Sequence, residues 1–129
     1  VFDATVQQVN ELKIDIPRYS ILTPYPGSAL YQRLLKAGRI LSFNWEDYDT
    51  MHVVFRPAQM SPDELYGGFK RAYRETFKIR HIMKRTHRLD LTGLINFIGN
   101  LTYRRFCHLL YTSPRYASPF SRSNTRESN

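Results

Sequence analysis

With 129 residues, 42% of them apolar, and a formal net charge of +8, the chain has the size of one basic globular domain. Its single cysteine, Cys107, excludes an internal disulfide framework and an iron–sulfur cluster held by this chain alone, and points to a reducing compartment, the cytoplasm. No apolar run of about 18 residues or signal-peptide pattern is visible, and His52, His81, His87 and His108 share no close metal-ligand spacing.

Taken in order, residues 2–14 are predicted to form a helix, because Phe2, Val6, Val9 and Leu12 recur on one face, and Pro17 stops it. Residues 18–23, rich in aromatic and β-branched side chains and bounded by Pro17 and Pro24, read as a strand. Pro24-Tyr25-Pro26-Gly27 then forces a turn. Ser28 is the expected N-cap of a short helix that buries Leu30, Tyr31, Leu34 and Leu35, with Gly38 in the left-handed position that ends it. Residues 39–60 are irregular apart from a strand-like run at 52–55, closed by Pro57.

Ser61, Pro62 and Glu64 form a capping box that opens a helix expected to run to about residue 86. Leu65, Phe69, Ala72, Thr76, Ile79 and Met83 line its apolar side, helped by Tyr73; Lys70, Arg74, Lys78, His81, Arg85 and Arg88 line the other. A further helix spans about 90–111. Its polar stripe is Asn96, Asn100, Arg104 and His108, and its wide apolar arc carries Leu91, Leu94, Ile95, Ile98, Leu101, Phe106 and Leu109. From residue 113 the composition turns to Ser, Pro, Arg and Asn, which predicts a disordered tail.

Charge divides the chain. Residues 1–60 hold six Lys/Arg and six acids, whereas residues 61–129 hold thirteen Lys/Arg and five acids, so the whole excess lies in the C-terminal half. The basic face of the 61–88 helix reads as a solvated face, or as one that meets an acidic surface outside this chain or nucleic acid. The apolar arc at 90–111 reads as a helix packed between neighbours, or as one lying on a membrane surface with Arg104 and Arg105 at the headgroups. No helix–turn–helix, zinc-finger or RNA-binding signature accompanies the basic residues.

Helix, strand, tight turn, helix is the order of a parallel α/β fold, and parallel sheets need several strands with both faces covered. One convincing strand is not a sheet. Each backbone group buried without a partner costs about 1–3 kcal/mol, and five or six would consume most of a typical domain stability of roughly 5–15 kcal/mol. The expected fold class is therefore an α/β fragment, mostly helical, cut from something larger; the opening on Val1 rather than Met fits that expectation.

Leu22-Thr23-Pro24-Tyr25-Pro26-Gly27-Ser28, followed by Leu30-Tyr31 and Gly38-Arg39-Ile40, resembles the last strand and helix of the radical S-adenosylmethionine (SAM) barrel. The subgroup is the one with a cobalamin-binding domain ahead of the barrel. The likeness continues through Trp45, Tyr48-Asp49, residues 52–55, Pro57, Met60-Ser61-Pro62 and Leu65, and covers about residues 2–85. Ser28 stands where that family usually has threonine, and Phe77-Lys78 where it often has Tyr-Ser.

The resemblance implies two segments, 1–40 as the end of the barrel and 41–88 as the family's C-terminal extension; 89–112 as an amphipathic helix and 113–129 as a disordered tail follow from the residue pattern alone. The resemblance also implies a parent enzyme with SAM and a four-iron four-sulfur cluster, and cobalamin in many relatives. The three-cysteine motif and cobalamin domain would lie upstream, as this chain's partners, leaving the chain inert by itself. Leu22, Thr23 and Pro24 become the expected SAM-proximal strand end. Trp45, Tyr48 and His52 are candidates for a substrate pocket or for packing the extension onto the barrel. The competing reading is a stand-alone basic helical adaptor for nucleic acid or an anionic membrane.

Overall fold

The computed structural model describes residues 1–86 and 90–113. They form α1 (Phe2–Glu11), α2 (Ala29–Lys36), a 3-10 turn (Trp45–Asp47), α3 (Pro62–Thr76), α4 (Ile79–Arg85) and α5 (Leu91–Thr112). Two compact units result: residues 1–19 with the described part of 68–115, and residues 20–67. The expected tail, apart from Ser113, lies outside the described residues, as do His87 and Arg88.

In the first unit the core is aromatic. Tyr73, almost fully buried, meets Tyr19 and Phe69 edge-on with centroids 5.1 Å apart in each case, and stacks on Phe77 at 6.0 Å. Phe77 in turn stacks on Tyr103 of α5 at 5.4 Å. Val6 and Val9 bring the inward face of α1 into the core, as their spacing predicts.

The single helix expected over 61–86 is two helices. Lys78 takes an extended conformation between α3 and α4, with φ −63° and ψ 139°. A tertiary contact ends α3, because the carbonyl of Phe77 accepts from Arg104 Nη1 of α5 at 3.1 Å. The break shifts the helical register. Ile79 and Met83, expected inside, are exposed, while Ile82 and Arg85 are buried.

Arg85 was expected on the solvent face and is only 2% exposed. Its Nη1 donates to Asn10 Oδ1 at 2.8 Å and to the Thr76 carbonyl at 2.9 Å, and its Nη2 donates to Asn100 Oδ1 at 2.8 Å. This explains a second reversal. Asn100, in the supposed polar stripe of α5, is fully buried because a buried guanidinium needs acceptors, and its own amide reaches the Asp15 carbonyl at 2.8 Å. The apolar arc of α5 is split by this arrangement: Phe106 is half-buried, while Leu91, Leu94, Ile95 and Ile98 face outward and exposed.

Two helices end in the same motif with different residues. After α2, Gly38 (φ 63°) donates to Leu35 O and Arg39 to Leu34 O, the paired bonds of a left-handed cap. After α1, Lys13 (φ 51°) and Ile14 make the equivalent bonds to Asn10 O and Val9 O, so α1 stops at Glu11 rather than near residue 14.

In the second unit Ser28 caps α2 as expected, accepting from the Tyr31 amide at 3.1 Å. Ser61 and Glu64 exchange the two capping-box bonds at 2.7 and 3.1 Å. Residues 39–41 and 54–56 pair antiparallel around a single Ile40–Phe55 bridge. Tyr31, Tyr48 and Val54, with Ile40, form the apolar core.

No strand is formed among the described residues, so the helix–strand–helix unit of a partial barrel is replaced by a mostly helical chain. Residues 18–23 are extended but join no ladder. The Tyr19 amide and carbonyl both bond the Tyr73 hydroxyl, at 3.1 and 2.7 Å, and the Ile21 amide donates to Thr50 O at 2.7 Å. A side chain and one turn carbonyl take the place of neighbouring strands.

Candidate functional site

The residues singled out by sequence fall mostly on one turn of the second unit and on the extended segment bonded to it. Asn44 opens the 3-10 turn by accepting from the Glu46 amide, and the turn delivers Tyr48 inward, where its hydroxyl donates to Ser42 O at 2.8 Å. Trp45 sits on the same turn but stays 59% exposed, its ring 5.2 Å from that of Tyr48. Burial pushes the Tyr48 phenol above its ordinary value, with neighbouring Tyr31 and Asp47 acting the same way, so Tyr48 is a neutral hydrogen-bond donor.

His52 is buried, and the partner that sequence reasoning did not find is Asp49. One carboxylate oxygen accepts from the Met51 amide at 2.8 Å, from the His52 amide at 3.2 Å and from His52 Nδ1 at 2.9 Å. A carboxylate can only accept, so the imidazole carries a hydrogen on Nδ1 and is held in one orientation. The signal was an Asp three residues before a His in a turn, where a short acidic side chain bonds the backbone ahead of it. Thr50, inside this turn, has φ 66°, a strained value for a β-branched residue. The strain is held by the Asp49 bonds on one side and by the Ile21–Thr50 bond on the other.

Of the expected strand end, Leu22 is exposed, Thr23 is buried with its hydroxyl donating to Ile21 O at 3.1 Å, and Pro24 is fully buried. The Ile21–Thr50 bond ties this segment to the turn carrying His52; Trp45 and Tyr48 are joined by their rings. The arrangement is a fixed, buried imidazole, a buried phenol and an exposed indole. Among the described residues no group of three His, Cys, Asp or Glu could hold a metal ion. Cys107 is buried in the first unit, and desolvation pushes its thiol up to about 11.

Clefts occur among the described residues of the first unit. One, of about 420 Å³, is bordered by Asp3, Asn10, Glu11, Glu75, His81 and Lys84. Another, of about 340 Å³, is basic and lined by Arg74, Phe77, Arg104, His108 and Tyr111 among others.

Comparison with known proteins matches residues 28–98 to the family model described as a domain of unknown function, DUF4070. The chain belongs to the DUF4070 family. The match takes in Trp45, Tyr48, Asp49 and His52 and leaves out residues 22–24. Bacteriochlorophyllide d C-12(1)-methyltransferase of Chlorobaculum tepidum is 31% identical over 85% of the chain, and the C-8(2)-methyltransferase of that organism is 28% identical over 80%. An uncharacterized methyltransferase of Pyrococcus horikoshii is 28% identical over 55%. The DUF4070 chain spans about 24%, 23% and 16% of the lengths of these three proteins. No solved structure matches it.

Proposed function

We propose that this DUF4070 chain is a module of a radical SAM methyltransferase, joined to the barrel through its extended segment and serving the substrate side of the site. The similarity that carries the reading is the alignment with three methyltransferases, one of them over 85% of the chain. The Leu22–Ser28 motif supports it, with Gly27 at φ 83° and Ser28 as a helix cap.

A four-iron four-sulfur cluster would supply the electron that cleaves SAM, and it does not fit this chain, whose one thiol is buried and held protonated. The cluster therefore belongs to residues elsewhere in the whole polypeptide. What this chain offers is placement. Leu22, Thr23 and Pro24 would close the SAM-proximal edge when residues 18–23 gain strand neighbours. Trp45 would present its ring to a broad apolar substrate, and Asp49 would hold the His52 imidazole in one orientation.

The test begins with the gene: an in-frame Cys-x3-Cys-x2-Cys motif upstream of Val1 is expected. The complete gene product, purified without oxygen and reconstituted with iron and sulfide, is expected to convert SAM to 5′-deoxyadenosine under reducing conditions. Absence of the motif, or no cleavage by a protein that carries a cluster, overturns the reading.

A further inference from the structure

α5 presents to solvent the side that a water-facing helix keeps polar. Leu91, Leu94, Ile95, Ile98 and Leu101 are 38–72% exposed and recur at intervals of three, one, three and three residues. That spacing sets them on one face, along about 15 Å of helix at 1.5 Å per residue. The opposite face is already occupied, because Gly93, Asn100, Cys107 and Leu110 are buried. The stripe is therefore surplus to the core of its own unit.

Cations stand at one end of it. α5 contains no acidic residue from Leu91 to Thr112, and its two charged side chains, Arg104 and Arg105, follow the last residue of the stripe. Arg105, four residues after Leu101, continues the outward face. Arg104 lines the basic cleft of about 340 Å³, together with Arg74, His108 and Tyr111. Lys70 Nζ and the Arg74 guanidinium lie over the Tyr111 ring, at 5.3 and 5.5 Å from its centre. The neighbouring carboxylate, Glu75, is engaged by Lys78 at 2.6 Å and lies 3.8 Å from Arg74.

We infer that this face docks on an anionic lipid bilayer, with the aliphatic stripe against acyl chains and a lipid phosphate in the basic cleft. With α5 lying flat, the aliphatic stripe turns toward the acyl chains while Arg104 and the basic cleft, round on the flank of the helix, stand at the level of the negatively charged headgroups. A second copy of the chain fits worse, since it would bring another net charge of +8 to the same basic end. No described helix is long and apolar enough to cross a membrane, so the contact is one of α5 lying along the surface. The inference does not depend on the methyltransferase reading, because lipid binding needs neither cluster nor SAM.

The experiment is co-sedimentation of the complete gene product with phosphatidylcholine vesicles, with and without phosphatidylglycerol. Binding is expected only with the anionic lipid, and is expected to weaken as salt is raised. Arg105→Gln should lower vesicle affinity about fivefold, the effect of one cation near the surface. Ile95→Asp with Ile98→Asp should abolish it while leaving far-ultraviolet circular dichroism unchanged. Ile98→Trp should retain binding and add indole emission that shifts to the blue on anionic vesicles. Failure to sediment with anionic vesicles, equal binding to neutral ones, unaltered binding of the Ile95/Ile98 variant, or loss of self-association instead of lipid binding in that variant would each overturn the inference.

Discussion

Replacing Arg85 by alanine should be among the most damaging single changes in the first unit. The guanidinium is 2% exposed and its charge is met by neutral acceptors, Asn10 Oδ1, Thr76 O and Asn100 Oδ1. Nε finds no partner, and the group lies 5.7 Å from the centre of the Phe77 ring. Burial alone pulls its pKa below the ordinary value, yet an arginine stays charged in this range. Truncation leaves the fully buried Asn100 carbonyl without its donor, at about 1–3 kcal/mol, and removes packing of the stem against aromatic rings, at about 1–2 kcal/mol. Relief of the cation's desolvation offsets part of this. The net loss should be about 3 kcal/mol; with a urea slope of about 2 kcal/mol/M, the midpoint should fall by about 1.5 M. Urea unfolding followed by circular dichroism measures it, with Arg80→Ala, on the exposed face of α4, as a control expected within about 0.5 kcal/mol. Arg85→Met combined with Asn100→Leu should cost less than the sum of the two single changes, because the guanidinium and the amide oxygen that accepts from it are removed together. An Arg85→Ala midpoint within error of the parent, or strictly additive effects in the pair, would refute the network.

Lys13 occupies with a side chain the left-handed position that Gly38 occupies without one, so Lys13→Gly should stabilise the chain by up to about 1 kcal/mol, read as a rise in thermal midpoint. His81 is held below its ordinary value of 6.5, first by burial and then by Arg80, Arg85 and Lys84, and its Nδ1 accepts from Asn10 Nδ2 at 2.6 Å. The unfolded chain thus takes up the proton first: this contribution to stability is whole above pH 6.5 and is lost as pH falls through the folded value. A nuclear magnetic resonance titration of His81 with a midpoint at or above 6.5, or an unchanged stability slope in His81→Gln, would contradict that account. Cys107, with its thiol pushed up to about 11, should resist iodoacetamide at pH 8 until urea unfolds the chain; rapid labelling of the native protein would show that it is not buried.

Local signals were legible where the cause was local. Ser28, Gly38 and the Ser61–Glu64 box are written in residue type and spacing, and they produce the bonds that those types favour. Signals failed where a distant residue decided the outcome. The break at Lys78 depends on Arg104, 26 positions on, reaching the carbonyl of Phe77, and nothing at Lys78 itself announces it. Once the helix breaks, the expected inside and outside of its second half exchange, which puts Arg85 in the core and draws Asn100 after it. In the candidate site, the pairing of His52 was not legible from residue type, because it needed the backbone turn at Thr50 to bring Asp49 onto its ring.

The claim on which the account rests is that residues 18–23 gain strand neighbours from outside this chain. Amide hydrogen exchange at Ser20, Leu22 and Thr23, compared between this chain alone and the complete gene product, tests it most directly. Protection should rise by orders of magnitude in the complete protein and remain slight in the chain alone. Equal rates in the two would mean that the segment pairs with nothing further, and that this chain does not join a barrel through it.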